Sequence, residues 1–421
     1  MRRLVPLLAT LAALLAGCSD RQRLNPLDPG NPNTRGAPTG FAAVAGDGFV
    51  SLSWDQAVSP DVTGYLLERG IGTSPSYDSL ALVPRSSLRT ETFFDSGLVN
   101  GVDVHYRVRF HIPGVAATTP AEDVATPGAV RPWVADFTAQ NVVLIAPDGR
   151  RIAFAIGGSF LSPADLDVDP ASNHLWICDS FAGRLVRVST AGGTPDVYGN
   201  FQEPVAVAVD HTNGRAWACD DVANVLQCFD PAGVFPTQPV VNIDRLATPI
   251  AVAVDPADQS VWVCERTGDA VRHIGPHGEG LGLAHVIEPS RVAVDSLTHR
   301  VWVTSFNHRQ LTWFQPDGSP IDSITSLAGP IGVAIDPHAG RVWVADAGGS
   351  RVLVYDRNGA PLFQVPSLGG VREIGLDAVR GEAWATLPPT GEVARIGPAG
   401  TVIRRLGGMQ QPLDIAVDSR P

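Results

Sequence analysis

A chain of 421 residues, 44 % hydrophobic and 18 % charged, is long enough for more than one domain and too apolar to be disordered. Its net charge of −12 repels nucleic acid and anionic bilayer surfaces, so neither is an expected partner. All 31 basic residues are arginine; without lysine, Schiff-base or general-base chemistry through that side chain is excluded.

Arg2 and Arg3, the apolar run from Leu4 to Leu15, and the small residues Ala16 and Gly17 read as an export signal over 1–17. The run is too short to span a bilayer. Leu15-Ala16-Gly17-Cys18 resembles the lipobox of bacterial lipoproteins. That resemblance implies cleavage before Cys18 and acylation of it, hence a partner membrane held through several acyl chains. Ser19 in the next position resembles an outer-membrane address, so the expected location is the cell envelope, facing either the periplasm or the outside. Residues 18–37 are polar and rich in proline, and read as a flexible, solvated tether.

Residues 38–127 alternate as short strands do, with turn residues at Gly46-Asp47-Gly48 and Asn100-Gly101. Pro38, Leu52, Trp54, Tyr65, and Leu98 eight residues before Tyr106 resemble a fibronectin type III module, an immunoglobulin-like sandwich. In bacterial surface proteins that resemblance implies a spacer. With no Arg-Gly-Asp in the chain, there is no reason to expect integrin binding.

From residue 131 a repeat takes over. Trp133, Trp176, Trp217, Trp262, Trp302, Trp343 and Trp384 each precede a glycine by sixteen residues, from Gly149 to Gly400. Six of the seven follow an aspartate by seven residues. Four short strands in each 40 to 45 residues is the pattern of a propeller blade. The runs Pro204-Val-Ala-Val-Ala-Val-Asp210, Arg341-Val-Trp343-Val-Ala-Asp346 and Arg351-Val-Leu-Val-Tyr355 resemble the NHL repeat. The first unit lacks an opening strand and the last, Pro412 to Asp418, is little else. One composite blade would join the two ends over 131–421. The expected fold is therefore all-β: a sandwich followed by a seven-bladed propeller closed by a shared blade. Aliphatic or aromatic residues nine and twelve positions after each Trp place apolar side chains on both blade faces, with the tryptophans as core.

The repeated aspartates occupy symmetry-related places and cannot converge on one ion. Each is expected to accept backbone N–H bonds in its own turn. Positions that break the repeat say more. Four residues before the first-strand aspartate stand Asp165, Ala206, Ala251, Arg291, Gly332, Glu373 and Asp414. Ring closure makes Asp165, Glu373 and Asp414 neighbours at the channel mouth, a candidate Ca²⁺ site, with Arg291 and Arg372 near enough to neutralise it. No other cofactor is implied.

The loops between second and third strands carry Phe137, Phe181, Arg266, Phe306, His308 and Arg309, residue types that interfaces favour. Cys219 and Cys228 stand on facing strands of one hairpin and form a candidate disulfide, which export permits. The sequence has no His-x-His, His-Glu-x-x-His or Gly-x-Ser-x-Gly. The leading reading is a lipid-anchored envelope protein whose propeller binds a protein, peptide or glycan. The rival is a calcium-dependent hydrolase or lyase, resembling propeller lactonases, acting at the channel mouth.

Overall fold

A computed structural model describes residues 25–158, 160–233 and 237–419. The leader and Cys18 lie outside the described residues. The chain divides between Ala129 and Val130 into two compact units. Among the described residues, no helix is long and apolar enough to cross a membrane.

The first unit holds a three-stranded sheet (Ala42–Ala45, Phe49–Asp55, Thr90–Ser96) and a four-stranded one (Asp78–Pro84, Gly64–Ile71, Val104–His111, Ala121–Ala125). Strict alternation along Phe49–Asp55 and Val104–His111 puts Val50, Leu52, Trp54, Tyr106 and Val108 inside. Trp54 meets Tyr65 edge to face at 5.3 Å. The Tyr106 hydroxyl donates to the Asp95 carboxylate at 2.8 Å, and Arg69 holds the same carboxylate at 2.9 Å. A tyrosine corner would bond to backbone; here a buried carboxylate takes that place.

The segment read as a tether is folded from Asn25 on. The Asn31 side chain donates to Asn25 O and accepts from the Asn33 and Thr34 N–H groups, and Asn31 is 5 % exposed. Thr34 Oγ1 donates to Pro26 O at 2.7 Å. Asn, Asp and Thr side chains bonding to nearby backbone give a polar, proline-rich stretch turns of its own, which composition alone does not reveal.

The second unit contains, among the described residues, seven four-stranded antiparallel sheets. Six are consecutive in sequence; the other joins Pro412–Asp418 to Arg131–Asp136, with Pro412 opposite Asp136 and Asp418 opposite Arg131. Counting from that composite as the first, the inner strands touch in a closed circuit: Pro412–Asp418, Pro163–Asp169, Pro204–Val209, Pro249–Val254, Arg291–Val294, Pro330–Asp336, Ile374–Asp377 and back. This is a β-propeller.

Separate apolar cores fill the gaps between successive sheets, including one between seventh and first that contains Trp384, Val134, Val143 and Ile415. All seven repeat tryptophans are at most 2 % exposed. The recurrent glycine does two jobs here. Gly149 turns the chain at φ +70°, and a methyl there would stand 3.2 Å from Trp384 of the preceding sheet. Gly359, at φ +81°, likewise faces Trp313 of the fifth sheet. The glycine thus permits the turn and lets the neighbouring ring close over it.

The two aspartate sets behave differently. First-strand Asp169, Asp336 and Asp377 accept N–H bonds two and three residues on, in their own turns. The set ending the Trp strand reaches farther than expected. Asp179 accepts from Leu161 and Ser162, Asp346 from Ala328 and Gly329, and Asp136 from Gln410 and Gln411. Each therefore pins the connection that leads into the inner strand of its own sheet, satisfying donors no ladder reaches. Arg184 and Arg351 complete Asp179 and Asp346 at 2.8 to 2.9 Å.

Candidate interaction face

Because each inner strand starts beside the end of its Trp strand, its leading end lies at the same face as the loops between second and third strands. A register irregularity follows the first residue in five inner strands, including Pro163/Asp165 and Pro412/Asp414. Such bulges re-aim the next side chain. They turn Asp165 and Asp414 into a polar cavity of about 260 Å³ at the ring centre, also lined by Asp167, Arg291 and Glu373. A larger, open groove of about 710 Å³ in the first unit, lined by Leu27, Pro60, Ile112 and Val115, gathers no reactive set.

Asp165, Glu373 and Asp414 do converge, but around a guanidinium. Arg291 enters from the fifth sheet and places Nε 2.6 Å from Glu373 Oε1, with Nη2 3.8 Å from Asp165 Oδ1. Gly332 makes room: a methyl there would meet Arg372 O at 2.5 Å and Glu373 Oε2 at 2.7 Å. One oxygen each of Asp165 and Asp414 is taken by backbone, accepting from Val207 N and Leu166 N at 2.8 Å. Asp167 similarly accepts from Val209 N. These bonds stitch the first inner strand to the second and the second to the third, where unpaired edges face the channel. The donor set does not fit Ca²⁺: an arginine stands among the carboxylates, and the described residues contain no group of three ligating side chains able to hold an ion. The calcium expectation for Asp165, Glu373 and Asp414 is corrected accordingly.

Burial, then repulsion from Glu373 and Asp167, pushes the Asp165 carboxyl up to about 7 against the opposing pull of Arg291. Burial, with Asp165 and Glu373 beside it, raises Asp414 as well. Burial and Arg291 lower Arg372. The mouth is thus an acidic cluster incompletely neutralised by its arginines. At the other end of the inner strand, His211 lies 3.9 Å from Asp167; burial pulls it down, but the carboxylate raises it to about 9.

Of the loop residues, Phe137 and Phe181 come together at 5.4 Å, edge to face, on the first and second sheets. Phe181 is 68 % exposed, and Leu161, next to the Ser162 that accepts the Phe181 N–H, is 55 % exposed. Phe306 stands apart on the fifth sheet, against Gly329. Arg266 faces Asp221 at 3.6 Å, and His308 faces Glu288 at 3.7 Å. Arg309 closes its own turn, its N–H bonding to Phe306 O. Leu161 and Asp167 escaped the sequence reading: Leu161 lies in the one connection of variable length, and Asp167 looks like an ordinary strand residue.

The Cys219–Cys228 disulfide is corrected. Cys228 pairs with Trp217 and Cys219 with Leu226, so the two thiols are diagonal rather than opposite, and both are free and buried. Burial raises both, Cys228 to about 12, which keeps them inert.

Residues 327–355 match the NHL repeat model, in the stretch that holds Trp343 and Asp346. No curated protein sequence matches the chain. Among solved structures, a functionally unknown protein from Desulfotomaculum acetoxidans DSM 771 aligns with 69 % of this chain and 99 % of its own, at 12 % identity and TM-score 0.58. Kuenenia stuttgartiensis hydrazine synthase aligns over 64 % and 92 %, at 12 % identity and TM-score 0.57. At such identities the likeness is one of fold. A chain of a nidogen/laminin complex (14 % identity, 69 % and 98 % covered) reaches 0.47, too low to carry an argument.

Proposed function

We propose that this is a lipid-anchored envelope protein in which a fibronectin type III spacer precedes a seven-bladed, NHL-type propeller that binds another protein, peptide or glycan. Export and attachment through Cys18 rest on the leader and lipobox pattern, and an outer-membrane address rests on Ser19. The seven tryptophan units and the closing pairing of Pro412–Asp418 support the blade count. The sheet orders of the first unit support the fibronectin type III assignment.

The single observation that carries the binding role is the ledge beside the channel mouth, where exposed Phe181 and Leu161 flank the half-buried Phe137. Folded chains seldom leave clustered apolar side chains on a rigid face without a partner to cover them. The test uses a Cys18→Ser form as bait on envelope extracts and a glycan array. Specific capture that disappears in a Phe137→Ala/Phe181→Ala form is the expected result. Capture indifferent to that change, or none at all, would overturn the reading. Globomycin-sensitive processing and palmitate labelling, lost in Cys18→Ser, test the anchor separately.

A further inference from the structure

We infer that the sector formed by the first and second sheets is a docking site for a peptide segment in which a lysine or arginine stands beside an aromatic or aliphatic residue. The inference rests on the platform reading above and names the partner's chemistry. Four side chains define the sector, two from each sheet. Asp136 pairs with Pro412, and Phe137 N donates to Gln411 O at 3.0 Å; two residues past Pro412 stands Asp414. In the second sheet Asp179 pairs with Pro163, and Phe181 N donates to Ser162 Oγ at 2.7 Å; two residues past Pro163 stands Asp165. An aromatic ledge and an acid pair thus share the same two sheets, separated by roughly 10 Å at strand rise.

The acids are deeply set but not spent. Asp165 and Asp414 are 8 % and 9 % exposed. Asp414 Oδ2 accepts from Leu166 N, while Oδ1 has no hydrogen-bond partner among the described residues. Arg291 gives its short contact to Glu373 and stays 3.8 Å from Asp165, so the charge on this side of the mouth is the less neutralised. Glu203, on the adjoining loop of the third sheet, extends the negative field, and Val222 nearby is 50 % exposed. On the fourth and fifth sheets Arg266 faces Asp221 and His308 faces Glu288. The loop residues on that side are therefore paired with acids, whereas the mouth acids beside the ledge are not fully answered.

A basic side chain matches the acidic half. Its aliphatic stem covers the Phe rings while its charged head enters the mouth, and an arginine can stack on Phe181 as well. A neutral apolar peptide would leave the acids unanswered, and an acidic one would be repelled.

The test is selection of a phage-displayed random dodecapeptide library on the immobilised full chain, with the strongest clone then titrated as a free peptide. Clones should place Lys or Arg within three residues of an aromatic or aliphatic side chain. Affinity should fall about tenfold in Phe181→Ala and several-fold in Asp414→Asn, and weaken with added salt. Asn keeps the acceptor for Leu166 N–H, so the second variant removes the group that a bound cation would ionise rather than its shape. Peptides that need Phe181 but ignore the Asp414 change, or lack basic residues, overturn the inference and leave the platform reading standing. Retention of glycans with no peptide also overturns it. If nothing is retained in either assay, both fall.

Discussion

The carboxylates that end the Trp strands and the carboxylates at the channel mouth are the same chemical group in opposite circumstances. Asp179 is fully buried and fully answered, taking two backbone N–H bonds and an arginine. Asp414, almost as buried, accepts one N–H and faces two other acids. The first kind recurs from sheet to sheet and holds the fold together. The second occurs where the repeat breaks, and a group left short of partners at such a place is where binding is most reasonably sought.

The sharpest way to break this comparison is to open the ring. Removal of 412–421 takes away the inner strand of the first sheet, exposes the core around Trp384 and unpairs Arg131–Asp136. Thermal unfolding should lose its cooperative transition or drop by about 10 °C or more. An unchanged melt would mean the circuit is not held by its ends.

Next comes the answered carboxylate. Asp179→Ala strands the N–H groups of Leu161 and Ser162 and removes the Asp179 bonds of Arg184, for a loss of about 3 kcal/mol in denaturant unfolding. The unanswered carboxylate should behave in the opposite sense. A carboxyl whose folded pKa is raised holds its proton while the unfolded chain loses it. Its penalty is absent in acid, where both states hold the proton, and grows as pH rises past the ordinary carboxylate range until the folded group ionises too. Asp414→Asn should therefore gain stability over the parent as pH rises, with the gap closing toward acid pH, read by denaturant unfolding across a pH series. Asp165, Glu373 and Arg291 share this field and remain in both forms, so the difference reports residue 414 together with the relief it gives its neighbour Asp165. A gap independent of pH would argue that Asp414 is ionised and satisfied. The smallest expected stability effect belongs to Phe181→Ala, within about 0.5 kcal/mol, since the ring is largely exposed.

Much of the fold was legible because burial has a period. The Trp–Gly spacing marks one ring per sheet, and the glycine is held both by its turn and by the ring of the sheet before it. The closing strand was readable because the first unit lacked what the tail supplied. Spacing also gave Asp165, Glu373 and Asp414 equivalent positions in their units, and the three line one cavity. What spacing does not encode is the reach of a long side chain across the channel, so Arg291 appeared beside the acids in the sequence and among them in the structure. The Cys219 pairing failed by a two-residue shift in hairpin register. The tether failed because local side-chain bonds around Asn31 are invisible to composition. Leu161 went unseen because its connection follows no period.

The most direct test of where binding lies compares two aromatic residues on one face. With the selected basic peptide titrated against both forms, Phe181→Ala beside the acid pair should lose about tenfold in affinity, the order expected of a central aromatic anchor. Phe306→Ala, on the fifth sheet away from it, should change less than about twofold, as rim contacts do. Equal losses, or a larger loss at Phe306, would contradict the placement of the site in the sector of Asp165 and Asp414.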